Sequence, residues 1–244
     1  MGEATNKQVE KFKTEYCMNN ISRLRIQDDF IVEVNSYEEL LPGKTIKSYA
    51  TGNRKINGGF IIFRVLQQDS NIIYYPVFSE SVGRSLVKEW GLKLPKKMTI
   101  FSRIRNYNNE NNRNNCRESE EERRRDGKRT KENKQMLQLI QLARSMMILH
   151  VEDPGPMRNP FKSIYDTLDT HPGYSVFESE IKKVNTAILH FLNGPTNKKN
   201  ENFKNLQEYI CYLEKNFPNI RFGKFDFEIL REKMSRYCQD NIVF

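Results

Sequence analysis

The chain lacks several signals, and each absence removes a class of function. Long apolar runs are missing. Strongly apolar stretches such as Met146–Leu149 are far short of the roughly 20 residues a membrane-spanning helix requires. The first twenty residues are polar and charged, so no secretory signal is visible. An intracellular site, cytoplasmic or nuclear, is expected. Cysteine is sparse. Cys17, Cys116, Cys211 and Cys238 lie far apart without a C-x-x-C pair, which excludes a small disulfide scaffold and makes reduced thiols the default. Histidine is sparser still. His150, His171 and His190 have neither i,i+4 spacing nor a cysteine pair nearby, so no metal site is expected.

Catalytic signatures are also missing. There is no G-x-S-x-G and no kinase set. Gly58-Gly59 lacks the spacing of a nucleotide fingerprint, and no helix follows it. Carboxylates occur in His150-Val151-Glu152-Asp153, at Asp166 and Asp169, and in Glu180-Ile181-Lys182. Such pieces could serve a metal nuclease. However, Glu180 and Lys182 fall on different sides of a capped helix and read as solvated charges. A Cys–His pair would need residues distant in sequence. No enzymatic activity and no cofactor are expected.

What the chain does have is charge. Hydrophobic residues make up 37% and charged residues 29% of 244, polar but within the range that folds around a core. Net charge is +9, unevenly spread. Residues 1–41 carry 5 basic and 8 acidic side chains, residues 42–105 carry 12 and 3, residues 106–134 carry 9 and 7, and residues 135–244 carry 14 and 13. The excess of the whole chain thus equals that of residues 42–105. Such a field attracts nucleic acid, an anionic membrane or an acidic protein face.

The pattern predicts an α+β chain: a small antiparallel sheet or partly open β-barrel, a charged linker, then a helical bundle. Residues 1–27 hold an amphipathic helix over 6–20, with Thr5 and Gln8 as a capping box and Val9, Phe12 and Tyr16 on one face. Residues 28–105 form the basic β-rich domain. Strands are predicted over Phe30–Asn35, Thr45–Ala50, Phe60–Leu66, Ile72–Phe78 and Met98–Arg105. Pro76 marks an edge or a strand end, and a helix over Ser79–Trp90 stops at Gly91. Residues 106–134, crowded with asparagine and mixed charge, read as a flexible linker with almost nothing to bury. Helices follow from Gln135, from a Ser175/Glu178 cap, around Phe203–Phe217 and from Asp226, making a helical domain over 135–244.

The sharpest functional signal is cations interleaved with aromatics in the β-rich segment. Lys44, Lys47, Arg54, Lys55, Arg64, Arg103 and Arg105 offer phosphate contacts. Phe101 shares a predicted strand face with Arg103 and Arg105 and offers a base stack. Tyr49, Phe60, Tyr74, Tyr75 and Trp90 lie in the same segment. The same residues also suit sheet core and solubilising charge. Arg123–Lys131 resembles an import signal or a nucleic-acid arm, diluted by glutamates. The favoured function is non-enzymatic binding of a polyanion, foremost single-stranded nucleic acid. The alternative is a self-assembling structural protein of viral type, a matrix or occlusion-body lattice. It would use oppositely charged patches, exchange of the first helix, and Cys116 as an intermolecular thiol. The Asn-, Lys- and Ile-rich composition is compatible with an AT-rich viral or protist genome.

Overall fold

Gln8 N donates to Thr5 Oγ1 while Thr5 N donates to Gln8 Oε1, 3.4 and 2.8 Å, so the expected capping box forms. The computed structural model of the chain describes residues 2–50, 54–101, 127–149, 151–199, 203–235 and 242–244. They form an α+β protein divided into two units, Met1–Thr99 with Met147–Arg158 and Ile100–Met146 with Asn159–Phe244.

The first unit opens with strand β1 (Gly2–Glu3) and helix α1 (Asn6–Phe12), followed by a π-helical turn, Lys13–Cys17. Helices α2 (Asn20–Leu24) and α3 (Ile26–Asp29) follow. One continuous helix over 6–20 does not form. Asn19 accepts hydrogen bonds from the Ile21 and Ser22 amides and so starts a new helix. Phe12 is buried. Its ring stacks on Tyr74 at 4.4 Å and meets Phe30 edge-on at 5.4 Å, fixing α1 to the sheet.

The strands are β2 (Phe30–Glu39), β3 (Ile46–Lys47), β4 (Lys55–Ile56), β5 (Gly59–Gln67), β6 (Ile72–Tyr74) and β7 (Val77–Ser79), followed by helix α4 (Glu80–Glu89). The main sheet has the order β1-β6-β5-β2, with β7 also on β5, while β3 and β4 form a separate hairpin. Pairing is antiparallel except for β1 with β6. The sheet stays open. Tyr75 and Pro76 split the predicted 72–78 strand into β6 and β7, as a residue without an N–H dictates. Phe60, Ile61, Ile62 and Phe63 are all fully buried, because this end of β5 is covered on both faces. Gly91, at φ +61°, ends α4 where a left-handed residue is needed.

Residues 147–158 fold with this unit, not with the helical domain to which 135–244 was assigned. The reason lies at Asn35, where β2 bulges between Val34 and Ser36. The Asn35 amide donates to Met157 O at 3.2 Å and accepts from Met157 N at 2.8 Å. A bulged side chain thus captures a distant backbone.

The second unit contains most of helix α5 (Lys131–Ile148), with α6 (Phe161–Thr170), α7 (Glu178–Leu192), α8 (Pro195–Lys199), α9 (Leu206–Asn216) and α10 (Glu228–Ser235). Helix α5 starts four residues before Gln135. Arg129 and Asn133, assigned to the linker, are buried. Arg129 pairs with Asp169 at 3.1 Å, and the Asn133 amide donates to His171 O and Pro172 O. Their polar groups are therefore satisfied inside. Residues 106–126 of the expected linker lie outside the described residues. Helix α6 had not been anticipated. It buries Phe161, Ile164, Tyr165 and Leu168. Helix α7 is capped by Glu180, which accepts from Phe177 N at 2.9 Å, two residues beyond the expected cap.

The Met98–Arg105 strand does not form over its described part. Met98 N donates to Tyr37 O at 2.8 Å, while Ile100 O accepts from Gly223 N at 2.8 Å. Met98 and Phe101 make only single bridges, to Glu38 and Phe222. Residues 102–105 lie outside the described residues.

Candidate functional site

The candidate site is the β3–β4 hairpin. Lys44 N donates to Leu41 O at 3.0 Å and Gly43 has φ +77°. Pro42 and Gly43 thus occupy the two central positions of a type II turn, where the second needs positive φ. The turn delivers the chain into β3, where Ile46 faces Ile56 and Lys47 faces Lys55. Strand alternation puts the isoleucines in the core and both lysines in solvent. Ser48 N donates to Arg54 O at 3.0 Å, continuing the ladder and placing Arg54 beside Lys55. Tyr49 lies buried next in line, with Lys13 Nζ 4.6 Å from its ring centroid.

Four of the candidate residues, Lys44, Lys47, Arg54 and Lys55, therefore share one short hairpin. Arg54 and Lys55 are exposed and Lys44 is half-buried. Lys47 is exposed but engaged. Its ammonium lies 2.7 Å from Glu152 Oε2, and its amide donates to Glu152 O at 3.0 Å. The side-chain hydrogen bond holds Lys47 above the ordinary lysine range and Glu152 below the ordinary carboxylate range.

Arg64 stands on the main sheet instead, opposite Glu33, with which it pairs at 3.1 Å. Phe101 belongs to the second unit, half-buried with its ring 6.0 Å from Phe222. Arg103, Arg105 and Cys116 lie outside the described residues. Of the aromatics interleaved with these cations, Tyr49, Phe60, Tyr74 and Trp90 are buried and Tyr75 is half-buried. Trp90 Nε1 donates to Leu24 O at 3.3 Å. Cys17 is buried, which pushes its thiol up, and Cys211 is exposed.

A second polar cluster gathers Tyr37, Glu39, Glu80, Arg84 and Lys97. Lys97 Nζ lies 2.8 Å from Glu80 Oε2 and 3.3 Å from Glu39 Oε1. Arg84 donates to Glu80 at 3.1 Å and to Tyr37 Oη at 2.8 Å, and Tyr37 donates to Glu80. Burial first, and the bond to Glu80 second, push the Tyr37 hydroxyl up to about 12.

These pairs change the meaning of the charge pattern. Acidic residues 1–41 and most of the basic segment fold into one unit. That unit, residues 1–99 with 147–158, carries 16 basic and 13 acidic side chains, net +3. Carboxylate partners for Lys47 and Arg64 come from Glu152 and Glu33, and no spacing in the sequence marks either. The clustering of Lys44, Lys47, Arg54 and Lys55 in one segment was legible in the sequence, whereas the pairing of β3 with β4 was not.

The second unit holds a cavity of about 480 Å³, lined by Ile210, Leu213, Phe217, Ile220, Phe222 and Phe225 together with polar residues. Among the described residues no cluster is placed to hold a metal ion, and no helix is long and apolar enough to cross a membrane. No protein-family model, curated protein or solved structure matches the chain.

Proposed function

We propose that the protein binds polyanions, foremost single-stranded nucleic acid, by contacting the phosphate backbone with the 44–56 hairpin. The observation that carries this reading is Lys47 facing Lys55, with Arg54 and Lys44 adjoining on the same hairpin. Cations concentrated on one projection release counterions when they meet phosphates, and this release supplies affinity without reading sequence. Arg54 adds a guanidinium fork suited to phosphate oxygens. A flexible single strand can bring successive phosphates to so short an element. Because the neighbouring aromatics are in the core, binding rests on charge, and base identity has little effect.

Replacing Lys44, Arg54 and Lys55 together with glutamine tests this. Oligonucleotide binding should be lost, while neutralising Arg84, Lys88 and Lys93 should leave most of it. Equal loss in both sets would refute a hairpin site.

Self-assembly is the second reading. Its support is a row of exposed apolar side chains, Met18, Ile21 and Leu24, the middle one 73% exposed. Its electrostatic support is weaker, since Glu33, Glu80 and Glu152 already meet Arg64, Lys97 and Lys47 within one unit. Light scattering with and without nucleic acid separates the two. A soluble monomer that gains mass only with the oligonucleotide supports the first reading, and growth without it supports the second.

A further inference from the structure

We propose that the Glu152 carboxylate occupies a phosphate subsite of the hairpin and competes with nucleic acid for Lys47, an inference that rests on the polyanion-binding reading above. Lys47 and Lys55 are direct cross-strand neighbours. Like charges so placed repel, and an anion beside them offsets the repulsion. In the free protein that anion is Glu152, 2.7 Å from Lys47 Nζ. Lys55 also acts on it, favouring its ionised form. The carboxylate is not there by chance encounter. The Lys47 amide holds the Glu152 carbonyl at 3.0 Å, so the competitor is tethered to the strand it blocks and acts at high effective concentration.

The pair is nevertheless easy to exchange. The Lys47 side chain is 54% exposed and that of Glu152 is 77% exposed. Water and salt screen such a pair, so its loss costs the fold little. A phosphate can take the place of the carboxylate, which then turns to solvent. Until that happens only a fraction of molecules present a free Lys47, and apparent affinity falls by that fraction. Glu152 is therefore a regulator of affinity built into the site. Asp153, also exposed and without an ion pair among the described residues, adds charge but does not hold Lys47.

The experiment is fluorescence anisotropy of a labelled thymidine oligonucleotide with the full chain across a salt series. Glu152→Gln should bind severalfold more tightly, with a log–log salt slope near that of wild type, because the same phosphates are neutralised once the carboxylate has been displaced. Asp153→Asn should gain less and keep the wild-type slope. With Lys47→Gln in the background, the gain from Glu152→Gln should vanish. Thermal melting of each variant confirms folding, and Glu152→Ala repeats the test if Glu152→Gln melts early. Unchanged or weaker binding by Glu152→Gln, while Lys55→Gln still weakens binding, would overturn the competitor and leave the hairpin reading standing. Absence of binding by wild type and every variant at low salt would overturn both.

Discussion

Lys47 and Lys55 face each other across the β3–β4 hairpin, and only Lys47 forms an ion pair among the described residues. Two lysines opposed without a shared carboxylate would repel. The arrangement is tolerable because Ile46 and Ile56, both buried and also opposed, anchor the hairpin from beneath.

Lys55→Gln removes the lysine without an ion pair. Its effect on folding should stay within about 0.5 kcal/mol, as for most surface changes, while oligonucleotide affinity falls. Urea melts and anisotropy on the same sample check this. A large loss of stability with unchanged affinity would assign Lys55 to the fold.

Two glycines should respond oppositely to alanine. A Cβ on Gly83 would lie 2.8 Å from Ile61 Cδ1 and 2.9 Å from Ile61 Cβ, whereas one on Gly58 meets nothing within 4 Å. Gly83→Ala forces α4 away from β5 and should cost about 1–3 kcal/mol, the usual range for overpacking. Gly58→Ala should leave the urea midpoint nearly unchanged. Equal midpoints for the two variants would mean that α4 does not pack so closely on β5.

Ile100 and Phe101 separate core from surface in the second unit. Ile100 is 6% exposed, so Ile100→Ala should cost about 2–5 kcal/mol. Phe101 is half-buried against Phe222. Phe101→Ala should cost about 1 kcal/mol, the scale of an aromatic pair, with oligonucleotide affinity unchanged. A selective loss of affinity in Phe101→Ala would restore it as a base-stacking residue.

The cluster around Glu80 links stability to pH. Burial opposes ionisation of Glu80, but bonds from Lys97, Tyr37 and Arg84 outweigh it and hold the carboxyl below its usual range. The folded state thus favours the carboxylate more than the unfolded chain does. That contribution is complete above pH about 4.3 and is lost as pH falls through the depressed value. Tyr37 has the opposite sign. Its hydroxyl is raised to about 12, so its contribution is complete below pH about 10 and is lost as pH rises toward the folded value. The phenolate absorbance difference between wild type and Tyr37→Phe should therefore titrate well above 10. A midpoint near 10 would place Tyr37 in solvent.

The legible parts of the fold were those set by single residues acting locally. Thr5 with Gln8, Pro76 and Gly91 each did what backbone chemistry requires. Helix α6 was legible in principle, since Phe161, Ile164, Tyr165 and Leu168 follow helical spacing. Asp166 and Asp169, considered as site carboxylates, instead pair with Lys162 and Arg129. Charge was the least legible property. The sequence separates acidic residues 1–41 from a basic segment, but folding brings Glu33 to Arg64 and Glu39 to Lys97. Aromatic roles were ambiguous for a related reason: β5 is buried on both faces at one end, so no alternation marks which rings face water. Of the candidate site, the clustered cations Lys44, Lys47, Arg54 and Lys55 could be read directly. Glu152 could not, because its link to Lys47 exists only in three dimensions.

The most direct test of the central claim is the salt dependence of oligonucleotide binding by the wild-type chain. Engagement of three to four hairpin cations gives a straight log–log plot with a slope of about −2 to −3 on a single strand. Replacing Lys44, Arg54 and Lys55 with glutamine should flatten that plot while leaving the melting temperature in place. A flat wild-type plot, or a slope that survives the triple replacement, would contradict phosphate binding by the hairpin.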